Sequence, residues 1–101
     1  MLKSNPILTL SVAASLLDVH PRTLMLYERE GLIKPFRTTT NRRLFSQADL
    51  AFIQFIRHLT EKEGVNIAGV KVVLALIEKS KEKNPELREE FFSEFKEQEL
   101  I

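Results

Sequence analysis

Residues 11–31 decide the fold, and they read SVAASLLDVHPRTLMLYEREG. Ser11 is a residue type that caps helices, and the apolar side chains that follow it share one face, which predicts a helix of two turns. Pro21 suits the first position of a second helix, because its φ is fixed and it has no N–H group. Gly31 can adopt the left-handed conformation that ends a helix. The stretch therefore predicts two short helices joined by a tight turn, which is a helix-turn-helix candidate.

A basic hairpin is predicted directly after this pair of helices. Residues 32–36 and Leu44-Phe45 are short extended pieces, and the segment between them contains Thr residues and Asn41, which suits a turn. This region has four basic residues and no acidic one: Lys34, Arg37, Arg42 and Arg43. A helix-turn-helix followed by such a hairpin is typical of a winged helix, in which the second helix enters the major groove of DNA and the wing contacts phosphates.

The second helix carries residues that are predicted to read DNA. One arc of this helix contains Arg22, Thr23, Leu26 and Tyr27. Leu24 lies opposite that arc and is placed in the core. Arginine can bond guanine or phosphate, and the threonine and tyrosine hydroxyls can bond the phosphate backbone. Tyr27 could equally be a half-buried packing residue. With His20, which belongs to the turn or contacts a phosphate, the predicted DNA-binding residues are His20, Arg22, Thr23, Tyr27, Lys34, Arg37, Arg42 and Arg43.

Two longer helices are predicted after the hairpin. Residues 46–49 resemble a capping box at the start of the first one, with Asp49 in the place of the usual Glu or Gln. That helix is apolar over a broad face, and Gly64 ends it. Asn66 can cap the second helix, whose apolar residues keep helical spacing up to about Ser80.

A last helix is predicted near the end of the sequence. Residues 81–84 form a polar break, after which Pro85 can open the helix. Its apolar face consists of Leu87, Phe91, Phe92 and Phe95, and such a face needs cover. We therefore expect a mainly α, winged helix-turn-helix protein, with a DNA-binding domain over residues 1–80 and a dimerisation or partner-binding helix over residues 81–101. The alternative is that this face folds back on its own domain.

The composition limits the function classes. The 101 residues include 15 Lys and Arg, 14 Asp and Glu, and no Cys. Residues 1–58 carry a net charge of +4 and residues 59–101 a net charge of −3, which favours a nucleic-acid-facing first part. Without Cys, disulfides and thiolate metal sites are excluded, and His20 and His58 have no neighbour at metal-ligand spacing. We predict no metal, no cofactor, no membrane span and a cytoplasmic, nucleoid-associated protein.

An enzyme of this size needs paired acids, a nucleophile with a base, or a phosphate-binding loop, and the sequence offers none of these patterns. The three glycines fit neither of the common phosphate-binding motifs. We therefore predict no catalytic residue and no enzymatic activity. A module that binds only proteins, through the acidic and phenylalanine-rich tail, is the alternative to a DNA-binding protein.

The ordered motifs resemble the MerR family of bacterial transcription regulators. The strings TLMLYEREGLI at residues 23–33 and RLFS at residues 43–46 carry this resemblance. Within the family, HPRTL at residues 20–24 and GVNIAGVK at residues 64–71 are most similar to the heat-shock repressor branch, HspR. One departure is Met25, where the family usually has Arg.

The resemblance implies a dimeric repressor that binds an inverted repeat upstream of heat-shock and chaperone genes, with a DnaK-type chaperone as co-repressor. It also implies that the last helix pairs with its symmetry mate in an antiparallel coiled coil. Family members that sense metals or oxidants use Cys, so regulation by a protein partner or by temperature is expected here. A MerR-type activator that retwists a promoter spacer is the alternative within the family.

Overall fold

A computed structural model describes residues 3–83, which divide into two compact units. Of these residues, 3–50 lie in the first unit and 51–83 in the second. The predicted last helix, with Leu87, Phe91, Phe92 and Phe95, lies outside the described residues. In chain order the described elements are β1 (Leu8–Thr9), α1 (Leu10–Leu17), α2 (Pro21–Arg29), β2 (Phe36–Arg37), β3 (Arg43–Phe45), α3 (Gln47–Arg57), a π-helical turn (His58–Lys62) and α4 (Ile67–Lys83). They confirm the mainly α fold with a small hairpin wing.

Helix α1 begins where β1 ends. Thr9 has an extended backbone at φ −71° and ψ 166°, and its hydroxyl accepts a hydrogen bond from the N–H of Val12 at 3.3 Å. The prediction that Ser11 caps this helix is therefore wrong. Pairing with β3 already holds Thr9 in the extended conformation that an N-cap needs. The buried face of α1 consists of Ala13, Ala14 and Leu17.

The turn between α1 and α2 confirms the predicted helix-turn-helix. Asp18 ends α1 in the left-handed conformation at φ 56°, and its N–H donates to the carbonyl of Ser15 at 3.1 Å. His20 caps α2, because its Nδ1 accepts a hydrogen bond from the N–H of Arg22 at 3.0 Å. Gly31 follows the end of α2 at φ 78°, in the left-handed conformation that the sequence predicts.

The predicted wing is present, and its sheet is larger than predicted. Strands β2 and β3 pair antiparallel with Phe36 opposite Leu44, and Asn41 takes a left-handed backbone at φ 63° between them. Strand β1 pairs with the other edge of β3, so the strand order is β1-β3-β2. Strand β1 has only two residues, which is too few to show an alternating pattern. Its place in the sheet therefore has no signature in the sequence.

Helix α3 begins with the predicted reciprocal cap. The N–H of Asp49 donates to the Ser46 hydroxyl at 3.0 Å, and the N–H of Ser46 donates to the Asp49 carboxylate at 2.8 Å. The α-helical part ends at Arg57, before the predicted end at Gly64, and a π-helical turn follows it. Gly64 is still the left-handed residue after the last turn, at φ 66°.

Asn66 caps α4 as predicted, because its Oδ1 accepts a hydrogen bond from the N–H of Gly69 at 2.8 Å. The predicted polar break is wrong for residues 81–83, since α4 continues to Lys83. Lys and Glu are good helix formers, so the polar character of these residues does not end the helix. None of the helices within residues 3–83 is long and apolar enough to cross a membrane.

Each unit contains its own buried apolar residues. Those of the first unit are Ala13, Ala14, Leu17, Leu24, Tyr27, Leu32, Phe45 and Leu50. Those of the second unit are Ile53, Phe55, Ile56 and Val70. In the first unit they come from both helices of the helix-turn-helix and from β3, so burial of apolar surface fixes how α1, α2 and the sheet are arranged.

Candidate nucleic-acid interface

The exposed face of α2 differs from the predicted one. Leu24 and Tyr27 are 1% and 5% exposed, and residues three apart share a helix face. Tyr27 therefore lies in the core of the first unit, which is the packing role that the sequence left open for it, and its contact with the phosphate backbone stays a prediction. Tyrosine has a large apolar ring, and that ring rather than the hydroxyl decides its orientation here. The solvent side of α2, which we name the α2 stripe, consists of the exposed residues Arg22, Met25 and Arg29.

His20 and Thr23 lie at the start of α2, beside the stripe. The Nδ1 of His20 accepts a hydrogen bond, so the proton of the neutral ring is on Nε2. His20 therefore belongs to the turn, as predicted, and its contact with a phosphate stays a prediction. Thr23 is half-buried, and its N–H donates to the carbonyl of His20 at 2.9 Å. The start of a helix favours an anion such as a phosphate group.

Two of the four predicted wing cations are held by one carboxylate. The Nη2 of Arg37 lies 3.0 and 3.1 Å from the two carboxylate oxygens of Glu28, and the Nε of Arg43 lies 2.7 Å from Oε1. The side chains of Glu28, Arg37 and Arg43 are 21%, 35% and 23% exposed. Because Glu28 lies on α2, these contacts tie the wing to that helix. We name these three residues the wing clamp.

The wing clamp reduces the positive charge of the wing. Burial raises the pKa of Glu28, but the hydrogen bonds and positive charges of Arg43 and Arg37 outweigh that effect and hold the pKa below its ordinary value. Glu28 is therefore ionised at neutral pH. Sequence reasoning missed this residue because its partners lie 9 and 15 positions further on, outside the spacing at which helical ion pairs form.

The other two wing cations are outside the clamp. Lys34 and Arg42 are both exposed, and neither forms an ion pair with another residue of the part that the structure describes. The tip of the wing is the turn between β2 and β3, residues 38–42. The backbone of Arg42 is held there, because its N–H donates to the Thr38 hydroxyl at 3.0 Å and its carbonyl accepts from the N–H of Thr38 at 2.9 Å. An exposed guanidinium on a fixed backbone is suited to contact a phosphate group.

A cleft of about 300 Å³ lies between the start of α1 and the wing tip. Its lining residues are Thr9, Leu10, Ser11, Asn41, Arg42 and Arg43. The start of α1 and the positive charge of Arg42 both favour an anion such as a phosphate group. Among residues 3–83, no group of three or more His, Asp or Glu side chains could hold a metal ion.

Comparison with known proteins gives one family. Residues 8–77 match the family described as MerR HTH family regulatory protein. The chain is 38% identical over 74 residues to a Streptomyces coelicolor protein provisionally named heat shock protein HspR, which covers 73% of this chain and 49% of that protein. It is 35% identical over 80 residues to the HTH-type transcriptional regulator GlnR of Bacillus anthracis, covering 79% and 61% of the two chains. Over 68 residues it is 38% identical to the HTH-type transcriptional regulator MlrA of Escherichia coli, covering 66% and 28%.

The chain spans about half the length of the HspR relative and less than two thirds of the length of GlnR. The matched residues 8–77 contain the α2 stripe, the wing clamp and the wing tip. The comparisons thus confirm the resemblance that the motifs at residues 23–33 and 43–46 predict. Since the family match covers more than half of the 101 residues, the chain belongs to the MerR family of helix-turn-helix regulatory proteins.

Proposed function

We propose that this protein is a sequence-specific transcription regulator that binds double-stranded DNA. The observation that carries the proposal is the presence, in one unit, of an exposed α2 stripe with two arginines and an exposed cationic wing. A helix-turn-helix places its second helix in the major groove, and a wing beside it lies on phosphates. Residues 1–80 form the DNA-binding part of the chain in this proposal, and residues 81–101 pair two copies or bind a partner.

The proposed contacts divide into base contacts and phosphate contacts. Arg22 and Arg29 lie on the exposed stripe, where a guanidinium can bond the N7 and O6 atoms of guanine or a phosphate. Lys34 and Arg42 attract phosphates without regard to sequence. Arg37 and Arg43 are partly neutralised by Glu28, so their main proposed role is to hold the wing in position on α2. Thr23 and His20 lie at the helix start and complete the phosphate contacts.

A homodimer is part of the proposal. A single helix-turn-helix reads few base pairs, whereas a twofold pair reads two half-sites of an inverted repeat. In the second unit, Val72 and Leu76 on α4 are each 60% exposed, one helical turn apart, and form apolar surface that a second copy can cover. The remaining dimer contacts are assigned to Leu87, Phe91, Phe92 and Phe95.

The regulated genes in this proposal are heat-shock and chaperone genes, which the protein represses together with a DnaK-type chaperone. The support is the similarity to the Streptomyces coelicolor protein named for heat shock. A genome-wide binding map and a pull-down test this part. Binding sites at chaperone promoters and capture of the chaperone support it, and a map with sites only at other promoters contradicts it. Transcription with and without the protein separates a repressor from an activator.

Arginine substitutions test the division into base and phosphate contacts. Arg42→Ala is expected to weaken binding to every duplex and to reduce the slope of log K against log salt by about 0.9, because one phosphate contact is lost. Arg22→Ala is expected to weaken binding of the preferred site by roughly 10-fold to 100-fold and to relax its sequence preference. Fluorescence anisotropy titrations over a series of salt concentrations measure both effects.

Lys62→Ala is the control for these variants, because it removes one exposed positive charge from the second unit. Its salt slope is expected to equal that of the wild type. If neither arginine variant changes the slope or the preference, the proposed interface is wrong. Sedimentation at micromolar concentration tests the dimer, and a monomer at that concentration contradicts it.

A further inference from the structure

Met25 is a large apolar residue that lies on the exposed face of α2. It is 41% exposed, and its stripe neighbours Arg22 and Arg29, three positions before and four after it, are exposed as well. Residues at these spacings lie next to one another along a helix face. An apolar side chain thus lies between two cations in the middle of the surface that is proposed to face DNA.

The rotation of α2 holds Met25 in this position. Leu24, directly before Met25, and Tyr27, two positions after it, are 1% and 5% exposed. The start of the helix is fixed by the His20 cap at 3.0 Å. With the opposite face buried and the first turn capped, α2 cannot turn Met25 inward without exposing a large apolar side chain of the core, which costs free energy.

The chemistry of a thioether limits what Met25 can recognise in a major groove. Its sulfur is only a weak acceptor and it has no donor, so it cannot replace the bonds that arginine makes to guanine. The one apolar group on a base edge in the major groove is the C5-methyl of thymine. The two flanking guanidiniums favour a polyanion over an apolar pocket on another protein, because they complement phosphate charge.

We propose that Met25 is a specificity-determining residue that contacts a thymine methyl group in each half-site. The inference rests on the proposed DNA binding and adds a base preference to it. Arg22 and Arg29 bond guanine or phosphate on either side, and Met25 selects thymine at the position between them. The preferred half-site therefore contains a thymine whose methyl group, rather than its hydrogen-bonding edge, is recognised.

Replacement of thymine by deoxyuridine tests this, because it removes the methyl group and leaves the base pair intact. The wild-type protein first selects its preferred duplex from a randomised pool, and each thymine of that duplex is then replaced in turn. We expect one position in each half-site at which deoxyuridine weakens binding by about fourfold, the factor that corresponds to one buried methyl-sized group. In Met25→Ala this sensitivity is lost, and in Met25→Leu it is retained because the apolar contact survives.

Val12→Ala is the matched control, since Val12 is another exposed apolar residue of the first unit, on α1, with 45% exposure. It is expected to keep the wild-type response to deoxyuridine. The inference is overturned if no thymine methyl group affects binding, or if Met25→Ala keeps the same sensitive position. If the wild-type protein enriches no sequence from the pool, both the proposed function and the inference fail. If it enriches a sequence but no thymine methyl group affects binding, only the inference fails.

Discussion

Glu28→Gln is expected to strengthen binding to non-specific duplex DNA and to lower the discrimination between a preferred and a scrambled site. In the wild type, Glu28 binds Arg37 at 3.0 Å and Arg43 at 2.7 Å, so neither guanidinium is fully available to phosphates. Each arginine that gains a phosphate contact adds about 0.9 to the salt slope, which is roughly eightfold in affinity at about 0.1 M salt. Discrimination falls because the wing loses its fixed position on α2.

Asp18→Asn is the control for this prediction. It causes the same change in net charge within the first unit, and asparagine tolerates the left-handed backbone at φ 56°. It frees no arginine, because Asp18 forms no ion pair within residues 3–83. Anisotropy titrations against salt compare the two variants. Equal salt slopes for Glu28→Gln and Asp18→Asn contradict the role of the wing clamp.

The wing clamp also links stability to pH. The pKa of Glu28 is lower in the folded protein than in the unfolded chain, so its stabilising contribution is present above the unfolded pKa and is lost as pH falls through the folded pKa. Near neutral pH, Glu28→Gln is expected to lose about 1 kcal/mol of unfolding free energy. Urea unfolding shows whether this difference shrinks on acidification, as the clamp requires.

Phe45→Ala is expected to lower the free energy of unfolding by about 3–5 kcal/mol, whereas Phe36→Ala lowers it by about 0.5 kcal/mol or less. Both residues are phenylalanines of the same sheet. Phe45 lies on the central strand β3 and is 1% exposed, and Phe36 lies on the edge strand β2 and is 54% exposed. Removal of the buried ring leaves a cavity, and removal of the exposed ring leaves none.

The loss at Phe45 is a large part of the total stability of a domain of this size, which is about 5–15 kcal/mol. Urea unfolding followed by circular dichroism measures both variants against the wild type. The preferred-duplex affinity of Phe36→Ala serves as a check that the wing is intact. Similar losses of stability for the two variants contradict the buried position of Phe45.

The sequence predicts those ends of elements that depend on local interactions. Ser46, Asn66 and Gly31 act through local hydrogen bonds or local backbone conformation, so their roles follow from their types and spacings. Thr9, rather than the predicted Ser11, caps α1, because pairing with the distant strand β3 fixes the backbone of Thr9. Contacts between distant residues decide such cases, and they leave no local pattern.

In the candidate interface, too, features with a local pattern are predictable from the sequence and features that depend on distant contacts are not. The basic residues of the wing are recognisable from the sequence, because they cluster in residues 34–43 without an acidic residue among them. Arg22 is exposed, as predicted. The rotation of α2 depends on which side chains enter the core. Because Tyr27 is buried, Met25 and Arg29 share the exposed face with Arg22. The wing clamp joins residues 9 and 15 positions apart, so Glu28 reveals its role only in the folded chain.

Selection of duplex DNA from a randomised pool tests the central claim most directly. The wild-type protein is expected to enrich one short half-site that occurs twice in inverted orientation, because two α2 helices of a dimer read it. With the same pool, Arg22→Ala is expected to give weaker enrichment and a less uniform set of selected sequences. A pool that stays unchanged after repeated rounds with the wild-type protein contradicts sequence-specific DNA binding, and enrichment of a single unpaired half-site contradicts the dimer.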